Sequence, residues 1–489
     1  MRRCAPGAPR MSRRIYGPFN RVEGDLEVQV EIADGRVAAA WVNSPLYRGF
    51  EQILHGKDPR DALVYTPRIC GICSVSQSMA AAAALRDAAG TTEADNGALA
   101  ANLVLACENL TDHLTHFYLF FMPDFARADY AARPGFDAVA ARFKAQTGSA
   151  ARDMLPARAA FLHLTGILAG KWPHSLALQP GGTTRAIEPQ EKAQLRGIVA
   201  MFRRFLESTL FDDRLEQVAA LDSAAALQRW AASHPRGDFG SFLRIAAELQ
   251  LDALGRGGGR FLSYGAYTLH GAPLFARGIW DGGPRPFDAA GITEDISHAW
   301  LQGQPGPMHP LHGCTLPAVD NPAGYTWCKA PRLDGQVMET GALARQVVDG
   351  HPLARDLAAD GGSVLARVVA RLLELARVVP AMERWIAALQ PGAPFCHQAD
   401  MPEEADGAGL VEAARGSLGH WLRIRKGRIL NYQIIAPTTW NFSPRDAGGT
   451  PGALEAALVD TPVGADGAAG AAVQHVVRSF DPCMVCTVH

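Results

Sequence analysis

The sequence predicts an α+β protein, mostly helical, with a central bundle of long helices and β-hairpins at its periphery. Three observations predict it. Apolar residues recur at helical spacing over long stretches near 91–122 and 363–389. Two stretches alternate apolar and polar residues around two-residue turns. The stretch 253–335 is rich in Gly and Pro and reads mostly as irregular loops. With no internal repeat found, residues 1–489 read as one unit of several packed lobes, with 1–14 flexible.

The elements follow in order. Leu26, Val28, Val30 and Ile32 alternate, Asp34-Gly35 makes the turn, and Val37, Ala39 and Trp41 continue the pattern, which predicts a hairpin over 26–42. Thr91 or Thr92 is placed to cap a long helix running to about Met122, with Leu103, Cys107, Leu110, Leu114 and Phe117 on one face. A further helix is predicted over roughly 190–210. Another runs from Ser363 to about Leu389, with Val364, Val368, Leu372, Leu375 and Val379 inward and a kink at Pro380. A second hairpin spans 420–436, turning at Lys426-Gly427. The tail 446–472 is rich in Gly and Ala, and a short apolar segment then leads to DPCMVCTVH.

Composition excludes several classes of function. Apolar residues make up 48% and charged residues 20%, as in an ordinary globular protein. A net charge of −2 gives no electrostatic case for nucleic acid or an anionic membrane as partner. No apolar run reaches the length of a membrane span, so no direct membrane insertion is expected. The N-terminus MRRCAPGAPRMSRR is basic with no apolar stretch behind it, and Met11 is a second plausible start. It does not read as a signal peptide, and a cytoplasmic location is expected.

Nine cysteines are too few for a disulfide scaffold. Cys4, Cys107, Cys314, Cys328 and Cys396 are scattered singly and are expected as buried small apolar residues. The other four form two C-x-x-C pairs, Cys70/Cys73 and Cys483/Cys486, at opposite ends of the chain. Two such pairs make a soft-metal site, since two intervening residues let both sulfurs face one ion. A structural zinc site and a thioredoxin-like redox motif are the blander readings. Zinc ribbons usually keep their pairs within a few tens of residues, and neither pair sits in a βαβ context.

The flanking residues carry a resemblance. RICGIC at 68–73 and DPCMVC at 481–486 resemble the two signature motifs of the nickel–iron hydrogenase large subunit. RVEGDL at 21–26, RGFEQIL at 48–54, GKWPH at 170–174 with PGG at 180–182, ARGSLGHW at 414–421 and NYQIIAPTTWN at 431–441 match in order over nearly the whole chain. The resemblance implies that Cys70, Cys73, Cys483 and Cys486 bind nickel as thiolates. Cys73 and Cys486 then bridge to an iron carrying CO and cyanide. It implies heterolytic cleavage of H2, with Cys483 or Cys486 able to take the first proton. Glu23 matches the family's proton-relay glutamate; unaided it reads as a strand-end surface residue. Glu51, His489 and a backbone carbonyl near Ile434 match a site for Mg2+ or a similar divalent ion. Unaided, Glu51 reads as a partner of Arg48. Asp112, Arg415 and Asp481 match a polar canopy over the metals, loosened here because Ala414 stands where the family usually has Pro. Lys171 and His174 read as structural or relay residues, and His113 and His116 as satisfied core or interface groups. The implied partner is an iron–sulfur-cluster small subunit, in a heterodimer that can pair again.

Three departures from the family pattern point to a hydrogen-sensing, regulatory member of low turnover. The position four residues after Cys73 is Gln77 rather than His, and a carboxamide does not titrate near neutral pH. Ile72 and Phe120 stand at gas-channel positions usually held by the smaller Val and Leu, which implies hindered O2 entry and oxygen tolerance. The chain ends at His489, where catalytic members are made with an extension cut off after metal insertion; it reads either as a mature form or as made without the extension, as sensor types are. A sensor would report H2 to a signalling histidine kinase that controls hydrogenase genes. The alternative is a catalytic uptake subunit. A non-catalytic metal-binding scaffold and a structural zinc protein are the remaining readings.

Overall fold

The computed structural model describes residues 12–398, 400–463 and 470–489. Ser12–Tyr16 (β1), Glu27–Ala33 (β2) and Arg36–Asn43 (β3) form an antiparallel sheet in the order β1-β2-β3. Asp34 and Gly35 both take positive φ, 51° and 73°, as a two-residue hairpin turn requires. Leu26, Val28, Val30 and Ile32 point inward as expected. On β3 the expected inward set is corrected. A bulge at Glu31/Ile32 leaves Ala38 without a partner, so the buried residues are Val37, Ala40 and Val42 rather than Val37, Ala39 and Trp41. Ser12 to Arg14, expected to be flexible, belong to β1; residues 1–11 lie outside the described residues.

Ser74–Ala89 (α1) starts at the first cysteine pair. Asp95–Thr115 (α2), Ser149–Ala169 (α3), Pro189–Phe205 (α4) and Val364–Ala388 (α6) pack together as the central bundle. The short helix Ala342–Asp349 (α5) packs against α6. Leu372 and Leu375 of α6 are fully buried, each stabilising by about 1.5–3 kcal/mol relative to exposure. Ser363 caps α6, its hydroxyl accepting from the Ala366 N–H at 3.1 Å. The helix runs through Pro380 as one element.

The expected cap of α2 is not there. Neither Thr91 nor Thr92 precedes the first turn; Ala94 does, with its N–H given to the Gly181 carbonyl at 3.0 Å. The far end passes into a π-helical turn, His116–Phe121.

The 253–335 stretch is less irregular than its Gly and Pro content predicts. Arg260–Ala266 pairs antiparallel with Phe275–Asp281, and Ile292–Asp295 pairs with Ala330–Leu333. Ala405–Ala413 (β4), Gly416–Arg425 (β5) and Arg428–Ile435 (β6) form the last sheet, with Lys426-Gly427 as its β5–β6 turn. α1 lies directly on β4. A Cβ at Gly409 would stand 2.0 Å from the Ala80 carbonyl, so only glycine admits the Ala-rich face of α1. This contact fixes where α1 begins, and so where Cys73 sits. No helix among the described residues is long and apolar enough to cross a membrane.

Candidate metal centre

The two C-x-x-C pairs meet. The sulfurs of Cys70, Cys73, Cys483 and Cys486 all lie within 4.8 Å of one another. Cys70 Sγ is 3.5 Å from Cys483 Sγ, Cys73 Sγ is 3.1 Å from Cys486 Sγ, and Cys483 and Cys486 are 2.9 Å apart. Hydrogen bonds from Cys483, Cys486 and Cys73 hold the Cys70 thiol well below its ordinary pKa. Burial pushes Cys483 and Cys486 up. A soft cation would take all four sulfurs as thiolates. The donor set fits nickel.

Two devices bring the chain ends together. Met484 N–H donates to the Glu23 carbonyl at 2.7 Å, so the tail runs beside the RVEG segment. Thr438 Oγ1 accepts from the Cys483 N–H at 3.2 Å, and Thr439 Oγ1 donates to the Thr487 carbonyl at 3.0 Å. Those contacts account for the Thr-Thr of the PTTWN motif. Arg48 does not pair with Glu51. Its Nη2 donates to the carbonyl of Ile69 at 2.5 Å and also to that of Val485, the residues just before Cys70 and Cys486.

Glu23 is half-buried beside the cage rather than on the open surface. Burial raises its pKa, and the neighbouring Cys70 adds to the rise. Over the cage Arg415 is forked between two carboxylates. Nη2 donates to Asp112 Oδ1 and to Asp481 Oδ1, each at 3.1 Å, and Nε donates to the Asp481 carbonyl at 2.9 Å. Nη1 stands 2.7 Å from Asp112 Oδ2 without hydrogen-bond geometry, so both atoms retain bonding capacity. Burial lifts Asp112 to about 7 despite Arg415. Burial acts on Asp481 too, but Arg415, His116 and Arg371 outweigh it and hold Asp481 low.

The turn at Ala414, expected to loosen the canopy, is held by a neighbouring guanidinium. Arg345, on α5, donates to the carbonyls of Ala413 at 2.7 Å and Ala414 at 3.1 Å. It also pairs with Glu374 on α6 at 3.0 Å and Glu412 on β4 at 2.8 Å. That buried cluster anchors the turn that carries Arg415.

Gln77 sits on α1 with its Oε1 2.8 Å from His420 Nε2. Burial pushes the His420 pKa down to about 3, so the ring is neutral. Nε2 then donates to Gln77, and Nδ1 accepts from the Tyr432 hydroxyl at 2.8 Å.

Glu51, Ile434 and His489 line one small internal cavity with Lys329 and Glu294. The Ile434 N–H donates to Glu51 Oε1 at 2.7 Å, and Thr315 donates to Oε2. Lys329 Nζ lies 3.7 Å from Glu51 and 3.2 Å from Glu294. His489 Nε2 is buried with no hydrogen-bond partner, and burial keeps the ring neutral. An orphaned neutral imidazole and a carboxylate lining one cavity are donors a divalent cation can take, with the Lys329 ammonium already facing that carboxylate.

The two expected channel residues have different surroundings. Ile72 packs against the apolar cluster that holds Cys70, Cys483 and Cys486. Phe120 lies in the π turn after α2, its carbonyl accepting from Arg21 at 3.1 Å, and belongs to none of the apolar clusters among the described residues. His174 Nδ1 is 2.8 Å from the Pro67 carbonyl, while Lys171 is exposed. His113 and His116 are buried as expected, but only His116 is hydrogen-bonded, its Nε2 2.7 Å from the Arg478 carbonyl; His113 lies 3.3 Å from Glu374 without hydrogen-bond geometry. Cys107 and Cys328 are buried, whereas Cys314 and Cys396 are partly exposed, against expectation; Cys4 lies outside the described residues. The roles of Arg48, Lys329, Arg345 and His420 were not read from the sequence, although all but Arg345 and Lys329 fall in motifs that match the family.

Residues 48–153 and 151–489 match the family described as nickel-dependent hydrogenase. The chain belongs to that family. It is 30% identical to the periplasmic [NiFeSe] hydrogenase large subunit of Desulfomicrobium baculatum, covering 99% of this chain and 96% of that one. It is 27% identical to the hydrogenase-2 large chain of Escherichia coli, covering 98% and 97%. It is 29% identical to the uptake hydrogenase large subunit of Bradyrhizobium diazoefficiens, covering 98% and 95%. The H2-activated [NiFeSe] hydrogenase of Dm. baculatum superposes with a TM-score of 0.84 at 29% identity, over 98% of this chain and 100% of that chain. The nickel–iron hydrogenase expectation holds. The regulatory type expected from Gln77 finds no support in these relatives, whose names are those of [NiFeSe], uptake and numbered hydrogenases.

Proposed function

We propose that this hydrogenase large subunit oxidises H2 as part of an uptake-type enzyme. The observation that carries the reading is the buried four-sulfur cage closed from both ends of the chain beneath Arg415. Cys70, Cys73, Cys483 and Cys486 would hold nickel, and Cys73 with Cys486, 3.1 Å apart, would share their sulfurs with iron carrying CO and cyanide. When bound, the metals supply the heterolytic cleavage of H2. The protein supplies a thiolate, at Cys483 or Cys486, to hold the first proton. Glu23, paired through its backbone with the Cys483 segment, passes that proton outward, and burial, which raises its pKa, favours its taking the proton up. Arg415, pinned by Asp112 and Asp481, keeps a cation over the cage. Glu51, Ile434 and His489 would hold a Mg2+-type ion that ties the chain's end to β6.

Among the described residues the cage is the only cluster of three or more His, Cys, Asp or Glu side chains placed to hold a metal. Electrons would therefore leave through an iron–sulfur small subunit. A second reading, an H2 sensor in the cytoplasm that signals through a kinase, is favoured by one observation. Gln77 is locked by a neutral His420, so this position takes no part in proton traffic. Steady-state dye reduction under H2 by the purified heterodimer separates the two. Sustained turnover supports the uptake reading, and H/D exchange without turnover supports the sensor.

A further inference from the structure

Cys73 occupies the N-cap position of α1. The first backbone N–H groups of a helix have no partner within the helix, and an N-cap side chain ordinarily takes those of the second or third residue. In α1 these belong to Val75 and Ser76. Cys73 offers no such cap. Its sulfur faces Cys486 instead.

A carboxylate from another helix takes the place of the missing cap. Glu108, on α2 and 2% exposed, accepts the Val75 N–H at Oε2 (2.8 Å) and the Ser76 N–H at Oε1 (2.9 Å). Ser76 Oγ donates to Oε1 at 2.9 Å, and Oε2 also receives Trp172 Nε1 at 3.0 Å and Ser74 Oγ at 3.4 Å. Both oxygens are thus ringed by donors. A Gln here would turn its NH2 against other N–H groups whichever way it faced, so the site calls for a carboxylate. One turn further along the same face of α2 stands Asp112, which holds Arg415.

We propose that Glu108 is a positioning residue for the bridging sulfur: it caps α1 in trans, so that the Cys73 thiolate is kept free of the helix's own N–H donors and turned to the metals. The idea rests on the nickel reading above. α2 then sets two things with one face, the cap below the cage and the canopy above it. Without Glu108, the Val75 and Ser76 N–H groups are left unpaired in a dry interior, and the nearest anion at the helix start is the Cys73 sulfur. Hydrogen bonds drawn onto that sulfur would withdraw electron density from the iron it bridges.

The test is infrared spectroscopy of the CO and cyanide bands in the purified heterodimer, with nickel measured per folded protein, for wild type, Glu108→Gln and Glu108→Asp. The expected result is a shift of the bands to higher wavenumber in E108Q, with partial loss of nickel. E108D, which keeps the charge but draws it back by one methylene, shifts them less and in the same direction; it serves alone if E108Q does not accumulate. Bands that superpose on wild type in the loaded fraction of either variant, whether or not nickel is lost, overturn the proposal and leave Glu108 a merely structural residue. A wild type without nickel and without bands overturns the nickel reading itself, and this inference with it.

Discussion

Glu23 and Cys483 lie side by side as a parallel backbone bridge, with the Pro482 carbonyl accepting from the Glu23 N–H at 3.4 Å and Met484 N–H closing the return bond at 2.7 Å. The proposed proton acceptor and the C-terminal half of the cage are therefore joined by two backbone hydrogen bonds, although they come from opposite ends of the chain. Glu23→Gln keeps the shape and both backbone bonds but cannot carry a proton. H/D exchange and H2 oxidation should fall roughly 100-fold or more while nickel content stays at the wild-type level. Unchanged exchange would place the proton exit elsewhere.

Arg48 binds the carbonyls just before Cys70 and Cys486 with one nitrogen. Arg48→Met should reduce nickel retention during dialysis against a chelator, and Arg48→Lys, with a single shorter ammonium, should do so less. Equal retention in all three proteins would show that the Thr438 and Glu23 contacts suffice to close the cage.

The Arg345–Glu374 pair is fully buried, and the guanidinium also holds the turn before Arg415. Burial would raise the Glu374 pKa, but Arg345 and His113 outweigh it and hold it at about 2, against 4.5 for a free side chain. A depressed carboxylate contributes stability that is fully present above the unfolded value and lost as pH falls through the folded one. The contribution is thus complete above about pH 4.5 and fades toward pH 2. Glu374→Gln leaves Arg345 short of a counter-charge and should destabilise by about 3–5 kcal/mol at neutral pH. In a Tm series the gap between wild type and variant should narrow below pH 4.5. A gap that stays constant with pH would mean that lost packing, not charge, accounts for the cost.

Part of this was legible in the sequence. C-x-x-C pairing is local chemistry, so the four ligands could be named before any fold was known, and Ser363 marks the start of α6 because its own hydroxyl caps the helix. The start of α2 was misread because its cap comes from Gly181, a partner remote in sequence. The same holds for Glu108, Arg345 and Lys329: each is a buried charged side chain whose partners come from distant segments, and a lone charge in a sequence ordinarily reads as solvated surface. The alternation on β3 failed at a single bulge, which no residue type there announces.

Ile72 packs on the cluster around the cage, and Phe120 stands in the π turn after α2. Ile72→Val should cost about 0.5–1.5 kcal/mol and leave the metals in place. If gas entry is limited at these two positions, Ile72→Val and Phe120→Leu should each lose activity faster under air than wild type. Equal inactivation of all three would remove size exclusion as the source of any oxygen tolerance.

The central claim is that four sulfurs from the two ends of the chain hold nickel, with iron sharing two of them. Metal analysis of the purified heterodimer, joined to infrared spectra of the large subunit's centre, tests it most directly. The account predicts one nickel per cage, infrared bands of iron-bound CO and cyanide, and loss of both nickel and bands in Cys73→Ser and Cys486→Ser. Zinc alone in the cage, or bands that survive either substitution, would contradict it.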